Sequence, residues 1–380
     1  MRLLALRPFT LTIALAASVL LLDTRGHAQV AAAPIEDREF WRLVTELSES
    51  SGRFPQQLMS NEDSAQFVMP ELAGRVTAGG IYLGVGAEQN FTYIAAVKPR
   101  LAFVVDIRRE NMLEMLMYQA VFELSNDRAD FVSHLFSRKR PAALAATSTV
   151  DELFAAFDGV AADAALLQQN SDAVTGILTR THRWPLPSED QATITRMLGT
   201  FSAAGPQGLK GFGDMDSRSY AQLMAAADLT GRQQGFLVSE TAYRTVRDLE
   251  RQNHVVPIVG DFGGEKALAS VARYLTEQRA PVSVFYVSNV ERYLFDPGGK
   301  FRQFYANVAA MPLDRSAVFV RSVTRDISGR LGIALPDRPT RWWTFVAPIQ
   351  DCLDGVASGR VKAYPDLFAP QRSSKSFTPR

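Results

Sequence analysis

An α/β fold with a mostly parallel sheet is what this sequence predicts, and three observations carry it. Two short, continuously apolar runs, Gly79–Gly86 (GGIYLGVG) and Leu101–Asp106 (LAFVVD), flank one helical stretch at Asn90–Val97, which makes a strand–helix–strand unit. Apolar runs of strand length return at Val255–Val259, Val282–Val287, Ala317–Val320 and Trp342–Val346, with helical periodicity between them at Lys266–Gln278 and Lys300–Ala310. The first run closes on Gly84 and Gly86, the mark of a buried strand entering a tight turn. Strands joined through helices are expected to be parallel, with right-handed crossovers.

The elements follow in chain order. Arg2 and Arg7 precede an apolar stretch, Phe9–Leu22, broken only by Thr10, Thr12 and Ser18, and Gly26-His27-Ala28 places small residues at a cut after Ala28. Residues 1–28 therefore read as a secretory signal peptide, with a periplasmic or secreted address. The apolar stretch is shorter than the roughly 20 residues a spanning helix needs, and no later segment reaches that length without charges, so no stable membrane span is expected after cleavage. Residues 29–78 form a helical lead, in which Phe40, Trp41, Leu43, Val44 and Leu47 give Glu39–Leu47 an apolar face. An α/β domain is expected over 79–350. Asn90 can cap the helix after the glycines, and Lys98-Pro99 stops it. Between the second and third strands, residues 108–254 read as a long helical insertion, with helices at Asn111–Leu124, Val150–Gln169 and Thr241–Arg251 and a glycine-rich loop or lid at Gly205–Gly213. Residues 351–380 form an extension whose tail, from Ala369, has the composition of a disordered segment.

Composition removes several function classes. With 41 Lys and Arg against 40 Asp and Glu, the net charge of +1 gives no footprint for nucleic acid, and the one basic run, Ser137–Arg140, reads as a solvated helix end. A single cysteine, Cys352, excludes an intramolecular disulfide and any multi-cysteine metal site. Beyond the signal, the histidines are His134, His182 and His254, far apart and without an H-E-x-x-H motif, so no metal is expected. There is no G-x-S-x-G elbow and no phosphate-binding G-x-x-x-x-G-K-[ST] loop.

The glycine turn carries the sharpest chemistry. Glycines admit a ligand to the backbone, a helix start offers unpaired N–H groups, and an acid ending the next strand can receive ribose hydroxyls. Gly84-Val85-Gly86 is followed, twenty residues after Gly86, by Asp106 at the end of the second apolar run. On these residues the chain resembles the class I S-adenosylmethionine-dependent methyltransferase superfamily over roughly residues 75–350. Gly84 and Gly86 match its first motif, and Asp106 its ribose-binding acid. Val255–Asp261 looks like its third strand, which ends in an Asp that often contacts adenine, with Phe262 beside it. Ser283–Asn289 looks like its fourth, whose end lines the reacting centre. More narrowly, YLGVGAEQNFTYIAA with FVVDIRRENM is similar to a family of uncharacterised bacterial proteins assigned to the methyltransferase-like fold. The chain departs from the superfamily at Tyr82, where an acid often stands, at Glu88, which replaces the third motif glycine, and in the length of the insertion.

The resemblance implies a Rossmann-like, class I methyltransferase-type sheet with the insertion between strands two and three. It implies S-adenosylmethionine as cofactor, bound through Gly84, Gly86, Glu88, Gln89, Asn90, Asp106, Asp261 and Phe262, with Asn289 and Glu291 at the reacting centre and an unidentified methyl acceptor. Two other functions stay open: an exported, non-catalytic binding or interaction protein on the same fold, and an NAD(P)-dependent oxidoreductase. Against the latter stands Gln89 at the third glycine of G-x-G-x-x-G. Each residue also has a local alternative. Glu88, Gln89 and Asn90 can cap the helix; Asp106 can cap the helix beginning near Glu110 or pair with Arg108 or Arg109; Asp261 suits any turn; Asn289 and Glu291 can be hydrogen-bonded loop positions. Ser60-Asn61-Glu62, upstream of the sheet, can cap a helix or fold over the site.

Overall fold

Largely apolar runs form strands buried on both faces, and six strands built around such runs make one sheet. The structure, a computed structural model, describes residues 33–368 except 56, 87, 212–216, 296–298, 334 and 336–338. Residues 1–28, read above as a signal sequence, and the tail from Ala369 lie outside the described residues. The strands are β1 (Ile81–Gly84), β2 (Leu101–Asp106), β3 (Val255–Val259), β4 (Val282–Ser288), β5 (Leu313–Thr324) and β6 (Trp342–Pro348), in the spatial order β3-β2-β1-β4-β5-β6. The first five are parallel, and β6 pairs antiparallel with β5. The protein is thus an α/β, Rossmann-like fold whose strand order reverses at β1. β5 begins earlier than its apolar run, at Leu313, because its first turn of strand is only partly covered and tolerates Asp314 and Arg315.

The helices follow the sequence reading with three corrections. α1 (Asp37–Glu46) and α2 (Met69–Arg75) precede the sheet, and α3 (Gln89–Val97) makes the β1–β2 crossover, closing on Lys98 in the left-handed conformation (φ 47°) before Pro99. The expected Asn90 cap is not made. Asn90 lies inside the helix and its Nδ2 donates back to the carbonyls of Val85 and Gly86, at 3.1 and 3.2 Å. The insertion comprises α4 (Arg109–Leu124), α5 (Arg128–Phe136), α6 (Val150–Phe157), α7 (Ala164–Gly176), α8 (Ser188–Gly208), α9 (Tyr220–Met224) and α10 (Glu240–Arg251), with no strand among the described residues. The single helix expected at Val150–Gln169 is two, since Gly159 turns at φ 74° and Asp163 starts α7 by accepting from the N–H groups of Ala165 and Leu166. Gly205–Gly208, expected in a loop, instead continue α8 across a kink where Gly205 has φ 66° and Pro206 follows; residues 212–216 lie outside the described residues. The remaining helices are α11 (Ala267–Glu277), α12 (Val290–Leu294), α13 (Lys300–Ala309), α14 (Arg325–Leu331) and α15 (Ile349–Ala357).

α4 sits between the sheet and its own insertion, touching β2 and β3 on one side and α5, α8 and α10 on the other. Every residue from Asn111 to Phe122 is buried, which is why this helix is apolar nearly all round.

Glu291 proves structural. It lies 1% exposed on α12, paired with Arg321 of β5 (Nε–Oε2 2.9 Å, Nη2 to Oε1 3.0 Å), and it accepts from the Tyr305 hydroxyl. Arg321 also points Nη2 at Cys352 Sγ, 3.4 Å away. The pair ties β5 to two helices. Removing one partner leaves the other charge buried and alone, so Glu291→Ala is expected to cost about 3–5 kcal/mol, read as a fall in the denaturant midpoint. The double change Glu291→Met/Arg321→Met should recover most of that loss.

Candidate functional site

Five parallel strands end at one edge of the sheet, and the order reversal at β1 opens a crevice there between the ends of its neighbours β2 and β4. Gly84, Gly86, Asp106, Asp261 and Asn289 all fall at that edge, each just at or after the end of a parallel strand. The structure gives the two glycines different reasons. A Cβ on Gly84 would lie 1.9 Å from Asn90 Oδ1 and 2.8 Å from the Tyr82 ring, whose hydroxyl donates to that same Oδ1 at 2.9 Å. Gly84 is small to make room for its own neighbours. Gly86 turns at φ 77°, and a Cβ there would meet nothing within 4 Å, so the space above it is open.

Asp106 is 7% exposed and holds Arg108 from both oxygens: Oδ1 accepts from the Arg108 backbone N (2.9 Å) and Nε (3.0 Å), and Oδ2 from Nη2 (3.1 Å). Of its local alternatives the ion pair with Arg108 is formed, which leaves one lone pair on Oδ2. Asp261 caps its own turn through the Gly263 N–H and pairs with the exposed Lys300. The Phe262 ring does not face the crevice; it is buried against Phe285 and Phe304 in the core. Asn289 starts α12 without using its side chain as a cap and remains partly exposed at the end of β4.

A strap crosses this whole edge. After α1 the chain runs over the strand ends in their spatial order. Ser48 Oγ accepts from Val259 N of β3, and the Glu49 carboxylate from Asp261 N. Gly52 N donates to the carbonyl of Ile107 beyond β2, and the Gln57 carbonyl accepts from Arg108 Nη1. Ser60 N donates to both Glu88 carboxyl oxygens, at 3.0 Å each, beside the turn after β1. The Glu62 carboxylate accepts from Ser288 of β4 and Ser322 of β5. Asp63 accepts from the N–H groups of Arg341 and Trp342 at β6. Of the two roles open to Ser60-Asn61-Glu62, folding over the site is the one taken. Above the crevice the strap's Phe54 meets Tyr293 of α12 edge to face at 5.4 Å, and these are the exposed large apolar side chains among the described residues (45% and 47%).

The strap seals carboxyls in. Burial pushes the Glu88 carboxyl up to about 7 and raises that of Glu62. Glu114 of α4 is raised well above its ordinary value by burial and then by the charge of Glu88. Neither Glu88 nor Gln89 caps α3: Glu88 holds the strap, and the Gln89 carboxamide is buried. Sequence reasoning missed Glu114, whose signal is a carboxylate amid Leu113, Met115 and Leu116.

No three His, Cys, Asp or Glu side chains among the described residues are grouped to hold a metal. His134 meets Asn170, His182 bridges Asp37 and Glu123, and His254 contacts the Ala33 carbonyl. Among the described residues no helix is long and apolar enough to cross a membrane.

A family model described as a domain of unknown function (DUF7790) matches residues 58–358, from the middle of the strap to the end of α15, and the chain belongs to that family. No curated protein matches the chain.

Two measurements test the site as built. Gly84→Ala is expected to lose about 1–3 kcal/mol of stability by overpacking against Asn90 and Tyr82. Gly86→Ala should lose about 1–2 kcal/mol through backbone strain alone. Thermal melts of both variants check this, and a neutral Gly84→Ala would refute the packing. For Glu88, the folded state holds its proton more tightly than the unfolded chain, whose ordinary value is 4.5. Its contribution is complete below about pH 4.5 and is lost as pH rises towards and through about 7, a change of roughly 3 kcal/mol. Glu88→Gln should therefore remove a downward slope of stability between pH 4.5 and 7.5, seen by comparing denaturant melts of the two proteins across that range.

Proposed function

We propose that this DUF7790 protein binds an adenosine-containing ligand, S-adenosylmethionine foremost, at the turn between β1 and α3, on a sheet of the class I methyltransferase type. The observation that carries the reading is the open space over Gly86 at the reversal of strand order, with Asp106 ending the adjacent strand. The antiparallel β6 supports the methyltransferase type over an all-parallel dinucleotide sheet, as does the buried Gln89 at the third glycine position.

The residues present fit such a ligand in part. Gly86 and the start of α3 would take its charged end, and Asp106 would accept from the ribose through its remaining lone pair while Arg108 holds the carboxylate in place. When bound, S-adenosylmethionine supplies an electrophilic methyl group. Of the two residues proposed for the reacting centre, Asn289 stays available and Glu291 does not, being committed to Arg321. The strap must move for a ligand to enter, and once closed it excludes water.

A second reading, a non-catalytic binding protein on this fold, is favoured by the strap itself, which occupies the edge from β3 to β6. The export signal read at residues 1–28 points the same way, because it would carry the chain away from the cytosolic supply of the methyl donor.

Calorimetry on the protein beginning at Gln29 separates these readings, with S-adenosylmethionine, S-adenosylhomocysteine and NAD as ligands. The first two are expected to bind and NAD is not. Asp106→Asn should weaken binding about tenfold to a hundredfold, the loss of one charge-assisted hydrogen bond. Tying the strap down should slow binding at least about tenfold by blocking entry. This can be done by joining Phe54→Cys to Tyr293→Cys with a short bismaleimide, since the native Cys352 is buried. A folded protein with affinity for none of the three ligands would overturn the adenosine reading and leave the binding-protein reading in its place.

A further inference from the structure

We propose that His182 is a proton-operated clasp that fastens the helical lead to the insertion and lets go of the lead when its ring becomes neutral. The clasp lies outside the crevice and does not depend on the adenosine reading.

His182 follows the π-helical turn Ile177–Thr181 that ends α7. Its two ring nitrogens meet carboxylates from two other elements. Nδ1 lies 2.7 Å from Oδ1 of Asp37, the first residue of α1, and Nε2 lies 2.8 Å from Oε1 of Glu123, near the end of α4. An ionised carboxylate only accepts hydrogen bonds, and a neutral imidazole carries a single N–H. With both carboxylates ionised, both contacts are made at once only by the imidazolium. The ring also stacks on Trp184, with ring centres 4.4 Å apart and planes 11° from parallel, which favours a cation over the indole. Trp184 in turn stacks on Phe40 and Trp41 of α1, and its Nε1 donates to the Asp37 carbonyl at 3.1 Å.

The charged groups around the clasp are otherwise engaged. Arg251 of α10 donates to the backbone carbonyls of Glu123 and Ser125, and the Arg180 guanidinium lies over Gly176 of α7. Glu250 of α10 is raised well above its ordinary value by burial and then by the charge of Glu123. His254, on the Ala33 carbonyl, is lowered by burial. Glu36, Arg38 and Arg183, the charged neighbours in sequence, are exposed. Asn253 Nδ2, a neutral donor, reaches Asp37 Oδ1 at 3.0 Å.

Burial alone would lower the proton affinity of His182, but the hydrogen bonds and charges of Glu123 and Asp37 outweigh it and hold its pKa above the ordinary 6.5. The clasp's contribution is therefore complete below the ordinary 6.5 and is lost as pH rises through the raised value. A neutral ring keeps its N–H on Glu123, because the more enclosed carboxylate costs more to leave unpaired. The Glu123 side chain is 19% exposed and that of Asp37 41%. The start of α1 is thus the end released. At its other end α1 passes into the strap at Ser48, so the clasp fastens the root of the segment that roofs the crevice.

The test uses the protein beginning at Gln29, whose histidines are His134, His182 and His254. In NMR of the histidine-labelled protein, the resonance missing from His182→Gln is expected to titrate with a midpoint above 6.5, and Glu123→Gln should lower that midpoint. Amide hydrogen exchange by mass spectrometry, corrected for its intrinsic pH dependence, reads the release. The peptide covering α1 should open about tenfold more above the His182 midpoint than below it, the loss of one charge-assisted hydrogen bond. Asp37→Asn, at a partly exposed position, keeps the Glu123 contact and should abolish this dependence. It also identifies the His182 resonance, by shifting it, in the case where His182→Gln does not fold. Comparison with Asp37→Asn subtracts the slope expected of Glu88, which both proteins share. A His182 midpoint at or below 6.5, or the same pH dependence of α1 opening in wild type and Asp37→Asn, would overturn the clasp. Neither readout involves S-adenosylmethionine, so failure here and failure of the adenosine reading are told apart.

Discussion

The polar ends of a buried parallel sheet are the constraint on which the rest of this structure depends. Five strands finish at one edge, and polar groups there, the Val259 N–H and the Ser288 and Ser322 hydroxyls among them, need partners. The strap supplies them. It lies across the edge from Ser48 to Ser64, meeting β3, β2, the turn after β1, then β4, β5 and β6, and it uses side-chain carboxylates as often as backbone groups. The helical lead is thereby tied to the sheet along its whole width. The crevice at the strand-order reversal is roofed by the chain itself, with the Phe54–Tyr293 contact as the visible closure.

The roof changes the chemistry beneath it. Carboxyls that would be ionised and solvated at an open edge are enclosed, and burial shifts Glu62, Glu88 and Glu114 in the same direction. Enclosure therefore favours the protonated form of these carboxyls. Asp106 is held by Arg108 in a bidentate geometry.

The two glycines of the turn show how one motif can answer two demands. Gly84 is required by internal packing, since Tyr82 and Asn90 occupy the space its side chain would fill. Gly86 is required by its backbone angle and leaves open space above it. The Tyr82–Asn90 hydrogen bond lies under the turn and braces it from below.

By itself the sequence determined the layers of this protein. Largely apolar runs fall at each of the six strands, and their alternation with helical periods implies parallel pairing, because both signals are local and depend on burial alone. It also placed Gly86 and Asp106 at a turn and a strand end. Only the tertiary structure decided the direction of β6, the split of 150–169 around Gly159, and the choice between roles for Glu291 and Glu62. Each of those outcomes rests on a partner distant in the chain or on a backbone angle: Arg321 for Glu291, Ser288 and Ser322 for Glu62, β5 for β6. Glu114 is the clearest case. Nothing within a few residues explains a carboxylate in that helix, where it is buried on every side. Local pattern reports how much of a segment is buried; which groups meet in the buried space is a property of the folded chain.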